Sequence, residues 1–268
     1  MAEAGGRFGT GMAYYENSSR REGRKAVAAG PTLRERMGFV PDAWQERVLK
    51  SRTKRGILNC NRQCGKSTVT AVMAVEQAWT KPGSLTLVAS PSGRQSGEFM
   101  RKVGRFVRKL GVRPKGDGDN ENSLQFPNGS RIVGLPGNEG TIRGFSAVSL
   151  LLVDEASRVP DDLYLALRPM LATSGGALWL LSTPNGKRGF FWETWERGGA
   201  EWERVRVTGY ECGRIKREFL EEERRTMGER RFKQEYLCEF GEAEGGMFDA
   251  DLVRRAMTDK VKELKTMR

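Results

Sequence analysis

The segment that most constrains the fold of this chain reads CNRQCGKST and occupies residues 60–68. It follows a short apolar run at residues 56–59 and precedes a stretch of helical character at residues 66–79. It matches the pattern G-x-x-x-x-G-K-S/T, except that Cys60 stands in place of the first glycine. In this pattern the backbone N–H groups of a loop surround a phosphate, and the following helix points its positive end at the anion. The sequence therefore predicts a strand, a loop and a helix that bind a nucleotide.

Within this loop, single residues have separate predicted roles. Gly65 lets the backbone approach the phosphate, Lys66 reaches the β and γ oxygens, and Ser67 offers its hydroxyl to Mg²⁺. The alternative is a chance Gly-Lys-Ser in a basic chain, and the flanking strand and helix argue against it. The candidate ATP-binding residues of the loop are Arg62, Gln63, Cys64, Gly65, Lys66, Ser67 and Thr68.

Two acids follow a second apolar strand, predicted at residues 149–153. In the same sheet as the loop, this strand would bring Asp154 beside Ser67, where both would serve as Mg²⁺ ligands. Glu155 lies one residue further, and the chain contains no histidine, so the base that activates water must be a carboxylate or a lysine. Glu155 is the candidate. Alternatively, the two acids cap a short helix that begins at Ala156.

A third apolar strand, at residues 177–181, ends in the polar residues Ser182, Thr183 and Pro184. We expect it beside the strand that ends in Asp154, where a hydroxyl would sense the γ-phosphate, although the same residues also suit an ordinary turn. Buried strands alternate with helices along the chain, which predicts an α/β fold with a mostly parallel sheet covered on both faces. Together with the loop, this indicates a P-loop NTPase of the ASCE, RecA-like type.

The composition of the chain indicates which classes of partner and which compartment to expect. Lysine and arginine number 46 against 34 acids, for a net charge of +12, which favours binding to nucleic acid without deciding it. The four cysteines form no C-x-x-C pair and no histidine completes a zinc site, so a reducing cytoplasm fits best. No stretch approaches the roughly 18 apolar residues of a spanning helix, so no membrane partner is expected.

The order of these motifs resembles the ATPase (DNA-packaging motor) domain of the tailed-phage terminase large subunit. The resemblance is carried by Arg62-Gln63 before Gly-Lys-Ser and by a strand that ends in Ser182-Thr183-Pro184, the family's coupling motif. It implies a Mg²⁺-dependent ATPase that drives double-stranded DNA into a procapsid without reading its sequence. It also implies the portal protein and the small terminase subunit as partners, a homo-oligomeric ring during packaging, and a location in the host cytoplasm.

The resemblance also assigns roles outside the loop. The segment FVPDAWQ at residues 39–45 is similar to the family's adenine-binding segment, with Gln45 as the base reader; an ordinary helix start is the alternative. Arg143 lies in a loop from which relatives are thought to send an arginine finger into a neighbouring subunit. Arg62 is the rival finger, acting within its own subunit. An arginine at the γ-phosphate is worth roughly 10³ to 10⁵ in turnover in GTPases.

Four parts are expected along the chain. They are a flexible N-terminal arm at 1–30, an ATPase core at 31–213, a charged helical segment closing that domain at 214–248, and a linker or tail at 249–268. Full-length relatives continue into a nuclease domain at that tail, and no nuclease activity is predicted for this chain. Two other functions stay open: a helicase-like DNA translocase, and a nucleotide-dependent assembly factor that does not hydrolyse ATP.

Overall fold

The computed structural model describes residues 30–112, 115–117, 120–135, 137 and 144–241. All helices and strands given below belong to the unit that begins at Thr32. Most of the predicted N-terminal arm, the predicted tail and Arg143 lie outside the described residues.

In the part of the chain that the structure describes, eight strands form a single mixed sheet in the order β3-β4-β5-β2-β6-β7-β1-β8. Strand β4 is antiparallel to both of its neighbours, and every other neighbouring pair is parallel. This confirms the mostly parallel sheet. The strands are β1 (Arg55–Cys60), β2 (Leu85–Ala89), β3 (Lys115–Asp117), β4 (Asn120–Gln125), β5 (Arg131–Leu135), β6 (Leu150–Asp154), β7 (Ala177–Ser182) and β8 (Glu203–Val207).

Helices cover both faces of this sheet. One core contains residues of α3 and α4, and the other contains residues of α5 and α6. Successive residues of β1 point to opposite faces, so Ile57 enters one core and Leu58 the other. The helices are α1 (Leu33–Arg36), α2 (Ala43–Lys50), α3 (Lys66–Thr80), α4 (Gly93–Lys109), α5 (Asp161–Leu167), α6 (Gly189–Arg197), α7 (Arg217–Met227) and α8 (Glu229–Leu237).

Side chains mark the start of two of these helices. At the start of α2, the Asp42 amide donates a hydrogen bond to the Gln45 side-chain oxygen at 3.0 Å. Helix α4 begins at Gly93 because Ser92 caps it by accepting a hydrogen bond from the Gln95 amide.

The C-terminal part of the described chain contains a break between two helices and an additional strand, neither of which was predicted. The charged helical region is two helices, which separate at Gly228, where φ is +78°. Strand β8 was not predicted, although its sequence, ERVRV, contains the alternation of charged and apolar residues that is typical of a half-buried strand. Among the described residues, no helix combines the length and apolar character needed to cross a membrane.

Candidate nucleotide-binding site

The phosphate loop joins the end of β1 to the start of α3, as predicted. Gly65 caps α3 with φ +93°, a left-handed conformation that favours glycine. A Cβ atom at this position would also meet the Gln45 side-chain nitrogen at 2.7 Å. No side chain caps this helix, so its first N–H groups face the loop and are suited to an anion.

Lys66 is buried at the floor of the loop, with 6% of its surface exposed. Its ammonium group lies 3.5 Å from Glu155 Oε1 and donates a hydrogen bond to Thr183 Oγ1 at 3.3 Å. Burial lowers the pKa of Lys66, but the neighbouring carboxylates, Glu155 first, reverse this and raise the pKa above its ordinary value. Lys66, at the start of α3, is therefore charged, and its ammonium group contacts Glu155, which follows β6, and Thr183, which follows β7.

Asp154 ends β6 and is as buried as Lys66, with 6% exposure. Its Oδ1 accepts hydrogen bonds from the Ser67 hydroxyl and from the Glu155 amide, both at 3.1 Å. Burial, together with the charge of Glu155, raises the pKa of Asp154 to about 6. A hydroxyl and a carboxylate in contact are oxygen ligands that suit Mg²⁺. A buried carboxylate whose charged form is disfavoured also gains from a cation beside it, so these residues fit a magnesium site.

Glu155 has a backbone conformation that is rare for its residue type. Its φ and ψ are 51° and 42°, in the left-handed region, where a non-glycine residue is strained. The chain then forms one turn of 3₁₀ helix at Ala156–Arg158. Glu155 occupies the N-cap position of this turn, but its side chain makes no capping hydrogen bond, so the alternative prediction that its carboxylate caps a short helix is wrong.

The end of β7 touches both the loop and this turn. The Thr183 hydroxyl donates to the Cys60 carbonyl at 3.1 Å and accepts from Lys66. Ser182 contacts the Ser157 hydroxyl at 2.8 Å. Strand β7 lies between β1 and β6, so the predicted adjacency of the strands is confirmed and three strand ends converge.

A cavity of about 500 Å³ opens at this convergence. Its lining includes the predicted Arg62, Gln63, Lys66, Ser67, Thr68 and Glu155. It also includes three residues that the sequence analysis missed, Gln95, Lys102 and Arg158. Arg62 is turned toward α8, where its Nε lies 2.6 Å from Glu235 Oε2.

Gln45 is fully buried against the loop. Its side-chain nitrogen donates to the Gly65 carbonyl at 3.4 Å, and its oxygen accepts from the Asp42 amide at 3.0 Å. Arg214, which the sequence analysis also missed, ties the same parts together. It forms an ion pair with Asp42 at 2.7 Å and donates to the Cys64 carbonyl at 2.6 Å.

Comparison with known proteins decides the family. The family described as terminase large subunit, T4likevirus-type, N-terminal, matches residues 57–255, well over half of the chain. The chain belongs to this family. A terminase large subunit of Thermus virus P23-45 is 26% identical over 242 residues, which cover 77% of this chain and 50% of the relative. The terminase large subunit of Escherichia phage T5 is 25% identical, with 86% and 54% covered. The chain thus spans about half the length of these terminase subunits.

Solved terminase structures share the fold. The large terminase ATPase domain of Thermus phage P74-26 superposes with a TM-score of 0.69 at 23% identity, covering 77% of this chain and 96% of that domain. The large terminase of a thermophilic bacteriophage, solved in complex with ADP, gives a TM-score of 0.65 at 18% identity, covering 78% and 56%. These likenesses confirm the P-loop NTPase fold predicted from the sequence.

Proposed function

We propose that this chain is the ATP-hydrolysing motor domain of a phage terminase large subunit, which drives double-stranded DNA into a procapsid. The observation that supports the proposal most is the convergence of Lys66, Ser67 and Glu155 on one cavity at the start of α3. A loop that only bound a nucleotide would not need a carboxylate facing the same space as the lysine. That carboxylate favours hydrolysis over the assembly-factor alternative.

Each residue has a role in this proposal. The loop amides and Lys66 bind the β and γ oxygens of ATP, and Ser67 and Asp154 hold the Mg²⁺. When bound, Mg²⁺ neutralises charge on the phosphate oxygens. Glu155 accepts a proton from the attacking water. Thr183 contacts both Lys66 and the carbonyl of Cys60, which supports a role for the end of β7 in sensing loss of the terminal phosphate.

Two further assignments come from the family resemblance. Gln45 would read the adenine base, which requires its amide to exchange some of its present bonds with the loop and with Asp42. Arg143 would act on the ATP of a neighbouring subunit, with Arg62 as the rival within the subunit. Mixing Arg143→Ala protein with Lys66→Ala protein decides between them, because recovered turnover supports Arg143 in trans and no recovery supports Arg62.

The partners are part of the same proposal. A net charge of +12 suits binding to the DNA backbone irrespective of sequence. The proposed partners are double-stranded DNA, the portal protein and the small terminase subunit, with a homo-oligomeric ring in the host cytoplasm during packaging. They follow from the family and not from a particular surface of the described chain.

The test is ATP turnover by the native protein, with and without linear double-stranded DNA, in Mg²⁺ and in EDTA. We expect Mg²⁺-dependent hydrolysis that DNA stimulates. Glu155→Gln should lower turnover by about 10² to 10⁴, while its affinity for a fluorescent ADP analogue in Mg²⁺ stays within about twofold of the native value, since the base is not needed for binding. Glu222→Gln, on the exposed surface of α7, serves as the matched control. A native protein as inactive as Glu155→Gln would refute the proposal.

A further inference from the structure

We infer that Arg158 is a positioning residue for the Glu155 carboxylate, an inference that rests on the proposed hydrolysis of ATP. The Arg158 Nη1 donates a hydrogen bond to Glu155 Oε2 at 3.3 Å. Arg158 is half-buried and lines the same cavity as Lys66 and Glu155. The arginine therefore holds the candidate base from within the site.

The two oxygens of the Glu155 carboxylate contact different cations. Oε1 lies 3.5 Å from the Lys66 ammonium, and Oε2 accepts from Arg158. In the proposed function, Lys66 turns to the phosphate oxygens of ATP. Arg158 would then be the cation that keeps one carboxylate oxygen fixed, while Oε1 becomes available to a water molecule.

The backbone explains why Arg158 can do this. Glu155 adopts a left-handed conformation directly after β6 ends at Asp154. The Arg158 amide then donates to the Glu155 carbonyl at 2.9 Å, closing a tight turn. Side chains three residues apart in such a turn lie on the same side, which brings guanidinium and carboxylate together.

The turn is also fastened to the end of β7. The Ser157 amide donates to Ser182 Oγ at 3.2 Å, and the Ser157 hydroxyl contacts Ser182 Oγ and donates to the Thr183 carbonyl, both at 2.8 Å. Asn185 adds a bond from its side-chain nitrogen to the Ser157 carbonyl at 3.4 Å. A positioning residue must itself be held in place, and Ser157 supplies that support from the centre of the turn.

Helix α8 adds a second contact. Glu235 Oε1 lies 4.0 Å from Arg158 Nη2, while its other oxygen pairs with Arg62. The Arg62 contact lacks hydrogen-bond geometry, since Glu235 Oε2 is buried without a hydrogen-bond donor among the described residues. Arg158 therefore bridges two carboxylates, and its firmest contact is with Glu155.

Arg158→Gln and Arg158→Lys test the inference, with Arg224→Gln on the surface of α7 as the matched control. The measurements are kcat and KM for ATP with Mg²⁺, affinity for a fluorescent ADP analogue, and the thermal unfolding midpoint. We expect Arg158→Gln to lower kcat by about 10- to 100-fold, the scale of a misplaced catalytic group. KM and ADP affinity should stay within about twofold. Arg158→Lys should restore part of kcat, because it keeps the charge at a shorter reach.

Three results would count against the inference in different ways. If native protein hydrolyses ATP and Arg158→Gln has an unchanged kcat, or a raised KM with kcat unchanged, Arg158 does not position Glu155. If native protein itself fails to hydrolyse ATP, the proposed function fails first and the inference falls with it. A lowered unfolding midpoint that accompanies loss of ADP binding in both Arg158 variants would assign the residue a structural role instead.

Discussion

Charged side chains occupy two contrasting settings in this protein, the phosphate-loop cavity and the surface of α7 and α8. On the surface, Arg224 and Glu229 meet at 2.6 Å with nearly half of each side chain exposed. In the cavity, Lys66 and Glu155 are further apart, at 3.5 Å, but Lys66 is almost fully buried. The distance between two charges is therefore a poor guide to their importance, because an exposed ion pair contributes little, whereas removing one partner of a desolvated pair leaves an uncompensated buried charge.

The pKa values of the carboxyl groups move in opposite directions in the two settings. The hydrogen bond from Arg224 lowers the pKa of Glu229, so the surface favours the charged form. Burial and the charge of Glu155 raise the pKa of Asp154 to about 6, so the cavity disfavours the charged form. A cation bound in the cavity would therefore offset the unfavourable charge of Asp154, whereas Glu229 on the surface already has Arg224 as its partner.

The largest effect is expected for Lys66→Ala, which removes the buried cation. ATP turnover should fall to the assay background, and affinity for a fluorescent ATP analogue should fall by about 100-fold or more, because the loop loses the buried ammonium that offsets the charge of the β and γ oxygens. Lys50→Ala, an exposed lysine paired with Glu46, should leave both within about twofold. If Lys66→Ala keeps more than a tenth of native turnover, the buried charge of the cavity is no more important for activity than an exposed charge.

Asp154→Asn tests the effect of burial on this carboxylate, through the dependence of protein stability on pH. Unfolded Asp154 ionises near pH 4 and folded Asp154 near pH 6. The folded protein therefore loses stability as pH rises through this window, and the cost is complete above pH 6. Removing the charge should stabilise the protein at pH 7.5 by up to about 3 kcal/mol, at 1.36 kcal/mol per pKa unit. The gain should shrink toward pH 5.

The measurement is urea unfolding in EDTA, which keeps divalent ions from masking the cost of the charge. Asp162→Asn, at the exposed start of α5, is the control and should not stabilise the protein at pH 7.5. An Asp154→Asn protein no more stable than native at pH 7.5 would mean that the cavity already compensates this carboxylate.

Arg214→Ala tests an intermediate case, because the Arg214 side chain is 42% exposed but donates a hydrogen bond to the loop. We expect KM for ATP to rise several-fold, since the Cys64 carbonyl and Asp42 lose their shared partner. The free energy of unfolding should fall by about 1 kcal/mol, the scale of one hydrogen bond. Lys216→Ala is the exposed control. If KM and stability are both unchanged, the segment before α7 does not contribute to the nucleotide-binding site.

The smallest effect is expected for Glu229→Gln, which breaks the surface pair. The change in unfolding free energy should lie within experimental error, because water and salt screen an exposed pair. ATP turnover should also be unchanged. A loss of stability as large as that of Arg214→Ala would show that distance and not burial governs these contacts.

Part of the site could be predicted from the sequence, because the residues concerned belong to patterns formed by their neighbours in the chain. Lys66 and Ser67 follow a strand and a glycine that together specify a phosphate loop, and Asp154 ends an apolar strand. The adjacency of β6 and β7 also followed from their buried character. Such residues are recognisable because a few neighbours in the chain fix their environment.

Other residues of the site depend on packing between distant segments. Arg214 meets Cys64 across 150 positions of sequence, and no pattern around it distinguishes it from neighbouring basic residues. Arg158 is local to Glu155, but only the left-handed conformation of Glu155 reveals their contact. A signal was present in the spacing of the two residues, although equal spacing of opposite charges is common on ordinary helices.

A crystal structure with Mg²⁺, ADP and beryllium fluoride tests the central claim most directly, because the fluoride marks the position of the terminal phosphate. We predict the Lys66 ammonium about 3 Å from a fluorine atom, at hydrogen-bonding distance. We also predict Mg²⁺ held by Ser67 and reached by Asp154, and Glu155 facing a water molecule in line with the fluoride. A nucleotide bound with its terminal group away from Lys66, or with Glu155 turned out of the cavity, would contradict this arrangement.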